Sequence, residues 1–564
     1  MEAKGHPQMF PLQYVWPYHQ AGLLCIPPLL YFLGGLGGRF NSTAGESVST
    51  AWRLARTASS AVLCFSFACC CYALWNASSL IARPHTALIF SLGSGQLSFR
   101  FDLIESLMLL LVTFLGWVIV NYSRAYMAGD PREFVYIRRL MHTLAAVSLL
   151  VVTNNMFIFL IAWILTSLAL HGLLTLYPNR QAAVIAAHKK FLASRLGDIT
   201  LLSGVLLLWS QTGSAELDQV TDHISKLHSV PFSIHIAAIL FAISAIIKCA
   251  QLPLHGWLIQ VMEAPTPVSA LLHAGIVNLG GFMLIRFASV LNTTPVAQCL
   301  LVTVGCLTAV IGSLVMTTRI SIKVHLAWST CAQMGFMLME CGLGLYALAF
   351  LHLLAHSVYK AHAFLGSGGT VNEAKIKSMT LMTGAPKLRA LLISGVCGLI
   401  VAAIGDSLWR PAINLDATAV FCIMIAGFAI AGILAGVFSV RTISEALTLA
   451  ATALAVSVLY FAYHELFQKL VQEKISGIDM HPASLIVALV LFSLLYGIQT
   501  LIRVNPLGSV AAAMYPWFYA GLYLDEVFTR ATFRLWPATS VSKATQRRDA
   551  GQTFDAIGET LENA

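Results

Sequence analysis

His352, His356 and Lys360 recur at intervals of four in LYALAFLHLLAHSVYKAHAFLGSG, an otherwise apolar stretch. In a helix, that spacing displaces each residue by about 40° of rotation and about 6 Å of rise from the one before, so three titratable groups share one stripe. Neighbouring helices would satisfy one such histidine, but three groups in register favour a wire along which protons hop. His362 falls on another face. A second group surrounds Lys248, near the end of the apolar run IHIAAILFAISAIIK, with Pro253 close behind. Proline lacks an amide hydrogen and its ring crowds the carbonyl of Cys249, so the helix is expected to break just after the lysine. Beyond the breaker Pro265-Thr266-Pro267 a new apolar helix begins and carries His273. A charge, freed backbone groups and an imidazole at membrane depth are costly in lipid and must face protein or a water-filled path. A buried amine can exchange a proton near neutral pH, and imidazole starts closer to neutrality. The expected route passes Lys248, His273, His352, His356 and Lys360.

Several further groups have two readings each. Lys323, beside His325 at the start of a span, either snorkels to the interface or feeds the stripe. Glu263, in MEAPTP, is a helix-end acid or a proton acceptor. His171 either bonds a neighbouring helix or takes part in transport. In HKKFLASRLGDITLL, Arg195 and Asp198 are three apart and can pair, with Lys189 on a related face. Asp102 and Glu105 read as exposed carboxylates at a span entrance, and Gly129-Asp130-Pro131 as a turn.

The elements that position these groups must be membrane helices. The chain of 564 residues is 58% hydrophobic and 10% charged, with mean hydropathy +0.77. An all-α polytopic membrane protein with about 15 transmembrane windows is expected. They run from 21–38 to 484–503 and include 234–261 and 267–290 on either side of the predicted break. Residues 1–133 form a tail with three peripheral spans. Two helical units occupy 134–290 and 291–440, further helices and an aromatic interfacial segment occupy 441–536, and a polar cytoplasmic tail 537–564.

Lys and Arg crowd the loops after odd-numbered spans, at Arg53, Arg124, Arg138, Arg180, Lys189, Lys190, Lys375 and Lys387 among others. The positive-inside rule makes these loops cytoplasmic and the N-terminus external. This bias accounts for the net charge of +9 without a nucleic-acid partner. The 12 cysteines lack metal-ligand spacing, and Cys69, Cys70 and Cys71 point in different directions around one helix. The first twenty residues lack the apolar core of a signal peptide, so no cleavage is expected. Neither a catalytic constellation nor a metal or cofactor site is expected in this chain.

KCAQLPLH from Lys248, EAPTPVSALLHA from Glu263, the His352/His356/Lys360 helix, the block from Phe101 to Leu140 and SRLGD from Ser194 resemble the antiporter-like subunits of respiratory complex I and of multisubunit cation/proton antiporters. The resemblance covers about residues 100–370. It implies two inverted five-helix repeats, each with a broken helix. The sequence departs from that pattern twice. Ala162-Trp163-Ile164 lacks the acid that would tune Lys248, and residues 391–405, where the second broken helix would lie, contain no lysine.

HGWLIQVMEAPTPVSALLHAGIVNLGGF and HLLAHSVYKAHAFLGSG are most similar to the DabB family, membrane subunits of two-component inorganic carbon transporters. That resemblance implies a DabA-like partner on the cytoplasmic side of a bacterial inner membrane, a large zinc protein similar to β-type carbonic anhydrases. It implies that entry of protons, or of another cation, through this chain energises CO2 hydration to bicarbonate in the partner, which would hold the zinc. A proton-pumping subunit of an NADH:quinone oxidoreductase, with flavin and iron–sulfur partners, and a subunit of a multisubunit sodium/proton antiporter are the alternatives.

Overall fold

The computed structural model describes residues 22–36, 44–79, 88–92, 97–261, 264–370, 387–409, 416–438, 442–471 and 481–535. Glu263, Lys375, Arg441 and the polar tail beyond 536 therefore lie outside the described residues. Helices α1 (Ile26–Leu36) and α2 (Ala44–Ser79) precede a hairpin of β1 (Leu88–Leu92) and β2 (Leu97–Phe101). The strands are antiparallel, with Leu88 opposite Phe101 and Leu92 opposite Leu97. Then come α3 (Leu103–Tyr126), α4 (Glu133–Val152), α5 (Met156–Leu174), α6 (Gln181–Thr212), the short α7 (Leu217–Ser225) and α8 (Phe232–Lys248). After a non-helical link follow α9 (Gly256–Gln260) and α10 (Thr266–Arg286), the latter with one π-helical turn at Leu272–Ile276. The second half comprises α11 (Pro295–Met316), α12 (Ile322–Gly342), α13 (Tyr346–Leu365), α14 (Leu388–Ser407), α15 (Ala417–Val437), α16 (Ile443–Val471) and α17 (Pro482–Val504). Two short C-terminal helices, α18 (Ser509–Tyr519) and α19 (Leu524–Leu535), follow.

Among the described residues, eleven helices are long and apolar enough to cross a membrane, and Leu23–Leu36 and Phe232–Lys248 are shorter apolar helices. The sequence windows gave about 15. Part of the difference lies in α12 and α13, which are 21 and 20 residues long but are not among the eleven. Their histidines, lysines and glutamate lower the mean hydropathy of helices that packing nevertheless buries. Another part is the broken segment, where the window 234–261 spans both α8 and α9.

A large core joins the helices from α1 to α13, and a smaller one gathers Val302, Met339, Phe421, Ala426, Phe461 and Ala488 from the second half. Between α11 and α12 the backbones nearly touch. A Cβ on Gly305 would lie 2.5 Å from the Gly335 carbonyl oxygen, and one on Gly335 2.6 Å from that of Gly305. Small residues permit this approach where lipid supplies no hydrophobic drive between helices. The segment 391–405, where the resemblance places a second break, lies within the uninterrupted helix α14. Its sequence has no internal proline to break it.

Two sequence readings require correction. Asp102 and Glu105 are buried. Asp102 caps α3 by accepting from the amides of Ile104 and Glu105, while Glu105 accepts from Arg286. Arg286 also donates to the Thr153 carbonyl at 2.6 Å, tying the end of α10 to the α4–α5 turn. Lys189 and Lys190 belong to helix α6 rather than to a loop, and both are buried. The interfacial segment folds back on the bundle: α19 packs against α6 and α9, after a turn in which Gly521, Leu522 and Tyr523 all take positive φ.

Candidate functional site

Helix α8 ends at Lys248, where the cap amide of Cys249 still bonds the Ala245 carbonyl; Ala250 then takes a left-handed φ of 52° and the chain leaves the helix. This break leaves the ammonium buried at membrane depth, 8% exposed. Its Nζ stands 4.2 Å from the centre of the Trp163 ring on α5, a cation–π contact worth about 2 kcal/mol where water is excluded. Asp198 on α6 faces Lys248, Lys190, Arg195 and Trp163. Arg195 Nη2 lies 2.6 Å from Asp198 Oδ2. Lys190 donates to the Ser167 carbonyl at 2.6 Å and to its hydroxyl at 2.8 Å. Trp163, Lys190, Asp198 and Lys248 also line a cavity with about 10 Å³ of room for the centre of a water molecule, near the smallest that admits one.

The carboxylate missing at position 164 is therefore supplied from α6. Sequence reasoning treated Asp198 only as the partner of Arg195, because spacing of three reveals neighbours on one helix but not contacts between helices. It also placed Lys189 with that group. Lys189 instead turns away, its Nζ 3.0 Å from Asp525 Oδ1 on α19, and the adjacent Lys190 is the one that faces Asp198. His171 is half-buried beside Lys190, its ring 5.3 Å from that of Phe191.

On α13 the stripe is present in three dimensions. The His352 and His356 ring centres are 6.1 Å apart, and Lys360 is fully buried, donating to the Leu326 carbonyl at 3.2 Å. His273, in the π-helical turn of α10, stacks on Phe364 at 4.4 Å and faces both Lys360 and His356. Asn278 donates to Ser357 at 2.6 Å and holds α10 against the same face of α13. No hydrogen-bond partner among the described residues satisfies either ring nitrogen of His273 or of His356. Such atoms suit a path on which protons or water arrive transiently.

His273, His356 and Lys360 therefore come together, and Lys248 sits in a separate cluster with Arg195 and Asp198. Lys323 is half-buried in the first turn of α12 and makes no ion pair among the described residues, while His325, two residues on, bonds the Met316 carbonyl at 2.9 Å. Sequence reading missed Glu340. This carboxylate of α12 is 1% exposed, with Oε2 3.0 Å from His352 Nδ1. A single acid in MLMECGLG carries no spacing signal, and only its burial at membrane depth would have marked it.

Residues 153–406 match the family described as "NADH:quinone oxidoreductase/Mrp antiporter, TM", and residues 90–137 match "NADH-Ubiquinone oxidoreductase (complex I), chain 5 N-terminus". A probable inorganic carbon transporter subunit DabB of Hydrogenovibrio crunogenus is 50% identical over 51% of this chain and 56% of its own length. The DabB2 subunit of Halothiobacillus neapolitanus is 36% identical over 79% of this chain and 82% of its own. The chain belongs to the DabB family. It is a multi-pass membrane protein of the wider complex I and Mrp antiporter membrane-subunit group. The first of these DabB relatives is matched over little more than half its length. The archaeal membrane-bound sulfane sulfur reductase complex shares the fold, with TM-score 0.56 and 16% identity over 91% of this chain and 99% of that one. Relative to the antiporter-like pattern, this DabB-family chain keeps the Lys248 break and the α13 stripe, takes its first-half acid from Asp198, and leaves α14 uninterrupted.

Proposed function

We propose that the chain conducts protons across a bacterial inner membrane and energises inorganic carbon uptake by coupling proton entry to CO2 hydration in a zinc-containing, carbonic-anhydrase-like partner on its cytoplasmic side. The observation that carries the proposal is the placement of Lys248 and Lys360, each buried at membrane depth, the second beside His273 and His356. Isolated buried lysines are expensive in a membrane and are retained for ion or proton movement. Membership of the DabB family supplies the carbon-transport part of the reading. Two inverted repeats, at 134–290 and 291–440, and about 15 crossings complete it. The bond-making chemistry and the zinc belong to the partner. Among the described residues of this chain no group of three or more His, Cys, Asp or Glu could hold a metal.

The test uses the chain co-expressed with its partner in a strain that lacks carbonic anhydrase and grows only at high CO2. Growth in air, bicarbonate accumulation and proton entry into proteoliposomes are measured for the native complex, Lys248→Gln and Lys360→Gln. Both substitutions are expected to abolish uptake and proton entry while the complex still assembles. Full carbon uptake by an assembled Lys248→Gln/Lys360→Gln complex refutes the reading. Copurification with flavin and iron–sulfur subunits instead of a zinc partner moves the chain to an oxidoreductase.

A further inference from the structure

Glu340 lies in the last turn and a half of α12, three residues before the α12–α13 turn, and it is 1% exposed. An isolated carboxylate in such a place is expensive unless it is protonated or paired. Its partner is His352, the first member of the α13 stripe, at 3.0 Å between Oε2 and Nδ1. Because α12 and α13 are antiparallel across a three-residue turn, the pair bridges their seam. Phe336, one turn before Glu340, packs on the His352 ring at 5.4 Å and on Phe421 and Phe492 from α15 and α17 at 6.5 and 5.4 Å. The pair thus stands where the stripe meets the second core cluster. The titratable groups that face Glu340 are His352 on α13, its chain neighbour Cys341 and Tyr460 on α16.

Among the described residues that follow Asp198 in the chain, Glu340 is the sole buried carboxylate. Helix α14 has no charged side chain between Arg389 and Asp406, so its middle offers no charged group to receive a proton delivered by the stripe. Resting on the proton-conducting reading above, we propose that Glu340 is the terminal proton-loading group of the His352–His356–Lys360 stripe and carries protons off α13 at the end opposite Lys360. In the loading step the N–H bond at His352 Nδ1 of an imidazolium breaks and an O–H bond forms at Glu340 Oε2. The products are a neutral histidine and a neutral acid, and no other bond changes. The neutral His352 keeps its hydrogen on Nε2, and that hydrogen must shift to Nδ1 before Nε2 can accept the next proton from the His356 side, whose ring centre is 6.1 Å away. Glu340 sets the direction of this transfer because its bond fixes which nitrogen of His352 faces α12.

Infrared difference spectroscopy of the purified complex with its partner, cycled between acid and alkaline buffer, reads Glu340 directly. The expected result is a protonated-carboxyl C=O band, shifted in D2O, that is lost in Glu340→Gln and retained at a displaced frequency in Glu340→Asp. In His352→Asn the same band should appear at a different pH, because the acid has lost the group that shares its proton. Proton entry into proteoliposomes should fall about 100-fold in Glu340→Gln, as for removal of a positioned proton-transfer group, and recover in Glu340→Asp. The proposal is overturned if native and Glu340→Gln spectra coincide, if His352→Asn leaves the band unmoved, or if Glu340→Gln conducts at the native rate. Should the native complex conduct no protons while the band still depends on Glu340 and His352, the proton-loading pair stands and the transport reading fails.

Discussion

A methyl group added at Gly256 tests whether the C-terminal helix is held on the broken segment. A Cβ there would lie 1.6 Å from Asp525 Oδ1 and 2.7 Å from its Cγ, so alanine and the docked carboxylate exclude each other. Displacing Asp525 breaks its contact with Lys189 at 3.0 Å and its bond from Gln260 at 2.7 Å. Lys189 has a second neighbour, the Phe528 ring at 5.9 Å, which is also on α19. Hydrogen bonds to charged groups contribute about 1.5–3 kcal/mol each. Asp525 keeps 32% of its side-chain surface, so solvent screens the ionic part and the low end applies. A loss of about 2–3 kcal/mol follows, or roughly 30- to 150-fold more frequent local opening of α19. Intrinsic propensity acts oppositely, since alanine within a helix is favoured over glycine by about 1 kcal/mol. Hydrogen exchange over residues 524–535, followed by mass spectrometry in nanodiscs, should therefore accelerate in Gly256→Ala while the rest of the chain is unchanged. Asp525→Ala should produce a similar effect, and the double variant should be little worse than either alone, because both remove one interaction. Native exchange in Gly256→Ala, or full additivity in the double variant, refutes the docking argument.

Glu105→Gln should destabilise the chain by about 3–5 kcal/mol, because it leaves the buried Arg286 without its counter-charge. Thermal unfolding in mild detergent measures it, and an unchanged midpoint refutes it. Asp198→Asn removes the acid facing Lys248, Lys190 and Arg195, and should lower the thermal midpoint and abolish proton entry. Adding Lys248→Gln to Asp198→Asn should recover part of the lost stability without restoring transport, since one of the stranded cations is then gone.

Much of the fold was legible because membrane burial writes itself into composition. The break after Lys248 was readable from Pro253, and the stripe of α13 from a spacing of four, since both are consequences of local backbone geometry. Hydropathy fared less well with α12 and α13, where the groups that make the site interesting also make the helices polar. Asp102 and Glu105 looked exposed because a carboxylate at a span entrance normally meets water. Asp102 pairs with the nearby Arg100, but the burial of Glu105 depends on Arg286, 181 residues further on, and no window spans that separation.

The same limit explains the acids of the two candidate clusters. Periodicity identifies groups that are costly to bury, but the partner that offsets the cost usually lies on another helix. Lys248 was singled out from the sequence and is buried in the structure, yet an acid beside it was sought at position 164 on α5, where Ile164 stands, and the acid that faces it is Asp198 on α6. Trp163, adjacent to that vacant position, contributes its ring face to the ammonium at 4.2 Å instead. The ring attracts the cation without adding a charge, so removing the acid from α5 need not leave Lys248 unsupported. In the second half α14 has no charge between Arg389 and Asp406, and the buried acid is Glu340 on α12. The first half thus buries Lys248 against an acid on α6 rather than on α5, whereas in the second half Glu340 pairs with His352 and Lys360 bonds a backbone carbonyl. Under the proton-conducting proposal, the route runs through contacts between α6 and α8 and between α12 and α13, since α14 offers no lysine.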